Sequence, residues 1–128
     1  MATWADPAGL EDDNLASARD MLKAVVALSA HPDLTVAATA PFWQIDRDRG
    51  KRRLGTTNRL LTRWDTQAAK TGYTATARYC FATVVHTRSG RRLALAVLGA
   101  PTVESRFADA RRLVEWAERA EQVTRSAP

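Results

Sequence analysis

The stretch Lys70-Thr71-Gly72-Tyr73-Thr74 lies where the character of the sequence changes. A polar, arginine-rich connection precedes it, and two apolar runs followed by a helical pattern come after it. Residues 70–74, 79–87 and 91–99 have the composition of three consecutive strands separated by short polar turns. Because strands joined by short turns pair antiparallel, the sequence predicts a meander of three strands, or slightly more, that starts at this stretch.

A helical pattern follows the predicted meander. Residues 104–122 carry apolar side chains at helical spacing, so we expect this helix to cover one face of the sheet. Glu118, Arg119 and Glu121 lie off the apolar stripe and are expected to face water. The tail from Thr124 onward is expected to fray. The fold class predicted from these elements is α+β, with a second helix nearer the N-terminus.

That N-terminal helix is predicted over residues 15–31, where apolar residues again recur at helical spacing. Ser17 is a candidate N-cap, with Asp20 at the capping-box distance. His31 precedes a proline, which ends the helix. As a lone histidine it has two interpretations, a general base or a C-terminal cap, and the absence of a partner favours the cap. In the irregular lead-in over residues 1–14, Trp4 is expected to insert into a core.

The segment between the N-terminal helix and the meander is predicted to be a connection. Within it, Phe42-Trp43-Gln44-Ile45-Asp46 alternates weakly and indicates a short strand, and the segment from Arg47 to Gly55 is turn-like. The chain is thus expected to form a single domain with three parts: a lead-in and helix (1–32), the connection (33–69), and the sheet with the C-terminal helix (70–122).

Composition limits the function classes. The 128 residues are 45% hydrophobic and 26% charged, with a net charge of +5 and a pI of about 10.1, which is typical of one soluble globular domain. The single cysteine, Cys80, excludes an internal disulfide. Nucleic acid binding is not expected, because aromatic residues are not interleaved with the densest basic cluster, which consists of Arg47, Arg49, Lys51, Arg52 and Arg53. We expect no cofactor and no metal site.

Four blocks occur in this order along the sequence: Asp6-Pro7-x-Gly9-Leu10 with Asn14 and Ser17-Ala18-Arg19-Asp20; Thr57-Asn58-Arg59-Leu60-Leu61; Lys70-Thr71-Gly72-Tyr73-Thr74 with Tyr79-Cys80; and Arg91 to Ala100 with Phe107 to Leu113 and Trp116. Together they resemble the D-alanyl-D-alanine carboxypeptidases, the low-molecular-mass penicillin-binding proteins. Lys-Thr-Gly is one of the three motifs of the wider group of penicillin-binding proteins and class A β-lactamases. The resemblance implies part of a β-lactamase/transpeptidase-like fold, corresponding to the later part of the catalytic domain.

The resemblance implies a structural role for Asn58 in the connection and substrate-binding roles for four other residues. Lys70 would supply positive charge, and the Thr71 hydroxyl would hold the substrate carboxylate. Gly72 would let the ligand approach the backbone, and the strand backbone near Thr74 would bind the substrate as an added strand. The implied ligand is the peptidoglycan stem peptide, whose terminal D-alanine the family removes through an acyl-enzyme, or a β-lactam.

The serine nucleophile of the family is not found in this sequence. It belongs to a Ser-x-x-Lys motif and is supported by a Ser-x-Asn motif, but no serine here is followed by lysine three positions later or by asparagine two positions later. We therefore predict no catalytic residue in this chain. The sequence resembles that of a complete enzyme without its N-terminal half.

Two departures from the family pattern lie beside the motif. Relatives carry Asp-Gly where this chain has Gln67-Ala68, and glycine where it has Arg78. If the turn at Ala68 needs a positive φ, the alanine side chain would cost about 1 kcal/mol or more.

Three hypotheses for the function remain open. The chain is an inactive C-terminal part of a carboxypeptidase, or a module that complements a separate chain carrying the missing motifs, or a protein with a new binding role toward an acidic partner. The first predicts exposed apolar surface on the sheet and on the 15–31 helix, and the second predicts that a partner covers this surface. The third predicts a polar, self-sufficient surface and binding that falls steeply with salt. Family members act outside the cytoplasmic membrane, but residues 1–14 show no signal-peptide pattern, so the chain as written is expected to stay in the cytoplasm.

Overall fold

A computed structural model describes residues 2–48 and 50–126; Arg49 of the basic cluster lies outside them. The described elements confirm the α+β prediction. None of the helices among these residues is both long and apolar enough to cross a membrane. In chain order the elements are α1 (Ala18–Leu28), α2 (Pro32–Thr39), β1 (Phe42–Arg47), β2 (Gly50–Gly55), β3 (Asp65–Thr74), β4 (Arg78–His86), β5 (Arg92–Ala100) and α3 (Val103–Ser126).

The predicted meander is present as an antiparallel sheet with the strand order β3-β4-β5. Its first strand is longer than the sequence predicts, because β3 begins at Asp65 and not at Lys70. The register shifts between Thr66 and Ala68, so that Gln67 forms a bulge. This bulge interrupts the period-two alternation by which a strand is predicted. The polar residues Asp65 and Thr66 before it give no apolar pattern that would indicate the start of the strand.

The sheet is covered on both faces. On one face Phe81, Val85 and Leu95 pack with Phe107, Ala110 and Val114 of α3. On the other face Ala82 and Val84 pack with Val25 of α1. The central strand β4 therefore contributes to both clusters, as its two apolar faces predict. The predicted covering of the sheet by the C-terminal helix is confirmed.

The predicted N-terminal helix is shorter than expected and is followed by a second one. α1 begins after Ser17, which forms the predicted capping box: the Ser17 hydroxyl accepts from the Asp20 N–H at 3.2 Å, and the Asp20 carboxylate accepts from the Ser17 N–H at 3.2 Å. The Ser17 hydroxyl also donates to the Asp20 carboxylate at 2.8 Å, and this bond is the largest cause of the lowered pKa of Asp20, followed by the bond from the Ser17 N–H. The prediction that His31 caps the end of this helix is wrong. His31 occupies the N-cap position of α2, without a side-chain bond, because Pro32 starts a new helix at its first turn.

The sequence predicts a turn-like segment from Arg47 to Gly55. This prediction is incomplete, because the segment contains strand β2. β1 and β2 form a two-stranded antiparallel hairpin in which Phe42 pairs with Gly55 and Arg47 with Gly50. The charged composition of β2 conceals the strand, since every residue in it is exposed. On this hairpin the Arg53 guanidinium lies 3.7 Å from the centre of the Phe42 ring, a cation–π contact.

Two predictions for the C-terminal helix are wrong. The helix continues through Thr124 to Ser126. Glu118 and Glu121 do not face water but hold the β4–β5 turn: Glu118 accepts from the Arg88 N–H at 3.0 Å, and Glu121 accepts from the Ser89 hydroxyl at 2.5 Å. Trp4, which was expected in the core, is largely exposed.

The two departures beside the motif have different consequences. Ala68 is fully buried and has no positive φ, so the expected strain is absent there. Arg78 is the one non-glycine residue with positive φ in the described part of the chain, at +57°. Its Cβ is therefore held in the left-handed region that glycine adopts without cost.

Arg78→Gly is expected to raise the free energy of unfolding by about 0.5–1 kcal/mol, because glycine removes the left-handed strain. The Arg78 side chain is exposed and makes no hydrogen bond or ion pair with any described residue, so little is lost with it. Urea unfolding measures the change. Arg78→Ala keeps the Cβ and serves as the control, which should leave stability nearly unchanged; equal values for the two variants would refute the strain argument.

Candidate functional site

The Lys-Thr-Gly stretch lies on an edge strand. Among the described residues β3 pairs only with β4, so its other side is open. Lys70 stands opposite Ala82, and Thr71 stands opposite Phe81. The Lys70 side chain is exposed, and its Nζ donates to the Thr71 carbonyl. The motif is thus at the rim of the sheet, beside space that a ligand can enter.

The Thr71 hydroxyl is held by a second threonine. The Oγ1 atoms of Thr71 and Thr57 are 2.6 Å apart. Thr57 is in a turn that the buried Asn58 organises: its Oδ1 accepts from the Leu60 N–H at 2.9 Å, and its own N–H donates to the Thr56 hydroxyl at 3.1 Å. These bonds support the structural role predicted for Asn58. They also bring two hydroxyl groups to one point on the rim.

Arg106 approaches the same point from α3, and no sequence pattern singled it out. Its side chain is buried, with 5% exposure. Nη1 donates to the carbonyls of Gly72, at 3.2 Å, and Cys80, at 3.1 Å. The guanidinium carbon lies 4.5 Å from the centre of the Phe107 ring. One sequence signal of its burial was available: Arg106 lies beside the apolar stripe that begins at Phe107, and this stripe is the side of the helix that packs on the sheet.

The positive charge of Arg106 has no counter-ion among the described residues. Its Nε is buried without a hydrogen-bond partner there. Burial lowers the pKa of the guanidinium, because the charged form loses its hydration. An anion bound nearby would supply the missing charge compensation.

These groups line a cavity of about 400 Å³. Gly72 also lines it, and a Cβ added at Gly72 would meet only the Cβ of Cys80, at an ordinary 3.9 Å. Packing within the strand therefore does not require glycine at this position. The residues around the cavity come from the lead-in, the 56–58 turn, β3, β4 and α3: Ala8, Gly9, Leu10, Thr57, Lys70, Thr71, Gly72, Tyr73, Tyr79 and Arg106.

Asp6 orders the lead-in loop, which forms one side of the cavity. Its carboxylate accepts from the N–H groups of Ala8 at 2.9 Å, Leu10 at 3.1 Å and Glu11 at 3.2 Å. A hydrogen bond from the Asn14 side chain is the largest cause of the lowered pKa of Asp6, and these backbone bonds add to it. The Asp-Pro-x-Gly-Leu block thus folds on itself and places Gly9 and Leu10 at the cavity.

Thr74 is not brought to the cavity with the other three predicted residues. Its hydroxyl accepts from the Ala77 N–H at 2.9 Å and so closes the β3–β4 turn. A second, mostly apolar groove of about 520 Å³ runs from Lys70 and Thr71 toward Trp43 and Leu54 of the hairpin. Lys70 and Thr71 lie at the junction of the two spaces.

The arrangement is suited to binding an anion. Two cationic side chains, Lys70 and Arg106, flank the hydroxyl of Thr71 along one cavity. No serine lines this cavity or the neighbouring groove among the described residues. The residues that the structure describes contain no group of three or more His, Cys, Asp or Glu side chains that could hold a metal ion.

Comparison with curated proteins finds relatives of the same kind in two bacteria. The chain is 34% identical over 120 residues to a D-alanyl-D-alanine endopeptidase of Pseudomonas aeruginosa, and 31% identical over 121 residues to one of Escherichia coli. Each alignment covers 90% of this chain but 38% of the relative. The chain therefore spans less than half the length of these relatives.

Solved structures agree in fold. Penicillin-binding protein D2 from Listeria monocytogenes in the cefotaxime-bound form is 32% identical, with a TM-score of 0.71 over 89% of this chain and 47% of that one. The Streptomyces K15 DD-transpeptidase has a TM-score of 0.73 at 20% identity, over 83% of this chain and 43% of that one. At this identity the second likeness concerns the fold alone.

A family model, described as D-alanyl-D-alanine carboxypeptidase, matches residues 2–102. This match covers the lead-in loop, the 56–58 turn and the Lys-Thr-Gly strand, and it ends just before α3. The chain belongs to the D-alanyl-D-alanine carboxypeptidase family.

Proposed function

We propose that this chain binds the D-alanyl-D-alanine end of a peptidoglycan stem peptide, or a β-lactam, along β3, and that it does not cleave the ligand by itself. In this proposal the Thr71 hydroxyl and the Arg106 guanidinium hold the terminal carboxylate, and Lys70 adds positive charge. Gly72 leaves room for the ligand to approach the strand. The backbone near Thr74 binds the peptide as an added strand.

One observation carries the proposal: the hydroxyl of Thr71 and the charges of Lys70 and Arg106 line one open cavity beside an unpaired strand edge. A peptide with a free carboxylate offers backbone groups for the strand edge and an anion for the cations. The family description names a carboxypeptidase, and the curated relatives are named endopeptidases. Both names contain the D-alanyl-D-alanine unit, which is the ligand proposed here.

The lack of cleavage is proposed from the sequence. No serine is followed by lysine three positions later, and no serine is followed by asparagine two positions later. Loss of the nucleophile in serine hydrolases typically lowers the rate by several orders of magnitude. What is left is ligand binding by the strand and the cations.

Exposed apolar side chains bear on the alternative functions. Trp43 and Leu54 of the hairpin, and Leu113 and Trp116 of α3, are exposed. These side chains lie on the hairpin and on α3, whereas both faces of the sheet, where the first hypothesis expects exposure, are covered by helices. An exposed apolar surface supports a chain that needs a neighbour, either the rest of a carboxypeptidase or a separate complementing chain, over a self-sufficient protein with a polar surface. A complementing chain that carries Ser-x-x-Lys and Ser-x-Asn is the second candidate function.

A titration with an N-acylated peptide ending in D-alanyl-D-alanine tests the binding proposal. We expect weak binding, with amide NMR shifts concentrated at residues 70–74 and around Arg106. The same peptide with an amidated C-terminus is the control and should bind at least about tenfold more weakly, because it lacks the anion. Equal binding of the two peptides, or shifts away from β3, would show that the carboxylate is not held there.

A fluorescent penicillin tests the catalytic part separately. We expect no covalent label on the denatured chain after incubation. A covalent label would mean that a nucleophile is present and that the proposal of an inactive chain is wrong, whatever the titration shows. Labelling that requires an added segment with Ser-x-x-Lys and Ser-x-Asn would support the complementing function.

A further inference from the structure

A pair of threonine hydroxyl groups lies at the cavity. The Oγ1 atoms of Thr57, in the 56–58 turn, and Thr71, on β3, are 2.6 Å apart. Both residues line the cavity, and this is the one hydrogen bond that either hydroxyl makes with the described residues. Because the pair joins two segments of the same chain, it does not depend on a neighbouring molecule.

The direction of this hydrogen bond determines what the pair presents to a ligand. A hydroxyl group has one proton, and either oxygen can be the donor. If Thr71 donates to Thr57, the Thr71 proton is already engaged and cannot bind a group in the cavity. If Thr57 donates to Thr71, the Thr71 proton is free for the ligand.

An anion beside Thr71 favours the second direction. A carboxylate accepts hydrogen bonds and has none to donate, so Thr71 can hold it only with a free proton. A hydroxyl that itself accepts a hydrogen bond is also a stronger donor, because hydrogen bonds in a chain polarise one another. Donation by Thr57 would therefore free the Thr71 proton and strengthen the bond from Thr71 to the anion.

The turn that carries Thr57 is held on both sides of that residue. Before it, the Thr56 hydroxyl accepts from the N–H of the buried Asn58 at 3.1 Å. After it, Arg59 reaches α3, where its Nη1 donates to the Glu104 carboxylate at 3.0 Å. The two heavy atoms on the Cβ of a threonine also restrict its χ1 rotation. These constraints hold the Thr57 hydroxyl beside its partner before a ligand binds.

We propose that Thr57 is a positioning residue: its hydroxyl donates to Thr71 Oγ1, and this bond directs the Thr71 proton toward the carboxylate of the bound peptide. Thr57 does not contact the ligand in this arrangement. The inference rests on the proposed function and adds the group that sets the donor direction of Thr71. The preference for a free carboxylate then depends on the 56–58 turn as well as on the Lys-Thr-Gly strand.

A double-mutant cycle at positions 57 and 71 tests the proposal, with the NMR titration and the free-acid and amidated peptides described above. Thr57→Val keeps the branched shape and removes the hydroxyl. We expect it to weaken binding of the free acid by about three- to tenfold, the effect of one hydrogen bond. Binding of the amide should stay the same, because an amide both donates and accepts, so that either direction of the pair serves it.

The second arm of the cycle starts from a chain that carries Thr71→Val. In this chain Thr57→Val should have no further effect on binding of the free acid, because no hydroxyl is left to orient. A loss that persists there would overturn the proposal, since Thr57 would then contact the ligand itself.

Two further variants are the controls. Thr57→Ser keeps the hydroxyl and should bind the free acid within about twofold of the wild-type chain. Thr62→Val removes an exposed hydroxyl of the same connection, one without a hydrogen bond to any described residue, and should bind like the wild-type chain. Amide NMR spectra show whether each variant is folded.

The titrations also separate this inference from the proposed function. If the wild-type chain bound the two peptides equally, the proposed function would fail and the inference with it. If the wild-type chain preferred the free acid and Thr57→Val kept that preference, the inference alone would be overturned. Equal losses for the free acid and the amide in Thr57→Val would also overturn it, because the hydroxyl would then only join the turn to β3.

Discussion

Phe81→Ala is expected to lower the free energy of unfolding by about 3–5 kcal/mol, because it removes the largest side chain from the centre of the fold. Phe81 is 1% exposed and lies on the central strand β4. Its ring meets that of Phe107 on α3 edge to face, with the centroids 5.3 Å apart. The substitution would leave a cavity between the sheet and the helix, and the aromatic pair would be lost as well.

Phe42→Ala is the matched control for this prediction. Phe42 is also a phenylalanine on a strand, but it lies on the hairpin and is 41% exposed. We expect its removal to cost about 1 kcal/mol or less, including the contact with Arg53. Urea unfolding of both variants gives the comparison. Similar losses for the two would mean that the sheet and α3 do not form the main core of the chain.

The sequence predicts best the elements whose side chains repeat regularly. β4 and β5 show alternation within a strand, and α1 and α3 show helical spacing, so their positions are close to those observed. The hairpin is different. β2 consists largely of exposed basic residues, and its strand pairing depends on backbone hydrogen bonds that leave no pattern in the side chains. Helix α2 is missed for another reason. Pro32 was interpreted as the end of the first helix, but it also occupies the first turn of the next one.

For the candidate site, the sequence identifies the local motif but not the groups that come from far along the chain. Lys70, Thr71 and Gly72 were found because they are adjacent in the sequence. Arg106 and Thr57 reach the same cavity only through the packing of α3 and the fold of the 56–58 turn. The only sequence signal of Arg106 is its place beside the apolar stripe of the helix, and this signal is weak because most arginines face water.

Because Arg106 is buried, a bound anion is expected to stabilise its charge more than that of any other side chain in the cavity. The Lys70 side chain is exposed and already hydrated, so an anion there gains less. Arg106 is buried, and no described carboxylate pairs with it. A bound carboxylate would compensate a charge that is held out of water, where electrostatic interactions are stronger.

Arg106→Met is therefore expected to weaken binding of the D-alanyl-D-alanine peptide by about 30-fold or more, the loss typical of truncating one partner of a buried charge pair. Methionine keeps the length and the apolar packing against Phe107. The bonds to the carbonyls of Gly72 and Cys80 are lost, but an unpaired buried charge is removed at the same time, so stability should change by about 1 kcal/mol or less. NMR titration and urea unfolding measure the two effects.

Two comparisons make this prediction specific. Arg106→Lys keeps the charge and loses the planar fork, so it should bind the peptide more tightly than Arg106→Met but less tightly than the wild-type chain. The peptide with an amidated C-terminus should bind the wild-type chain and Arg106→Met equally, because it has no anion for the guanidinium to hold. If Arg106→Met bound the free-acid peptide as well as the wild-type chain, the buried arginine would serve only to join β3, β4 and α3. The anion would then have to be held by Lys70 and Thr71 alone.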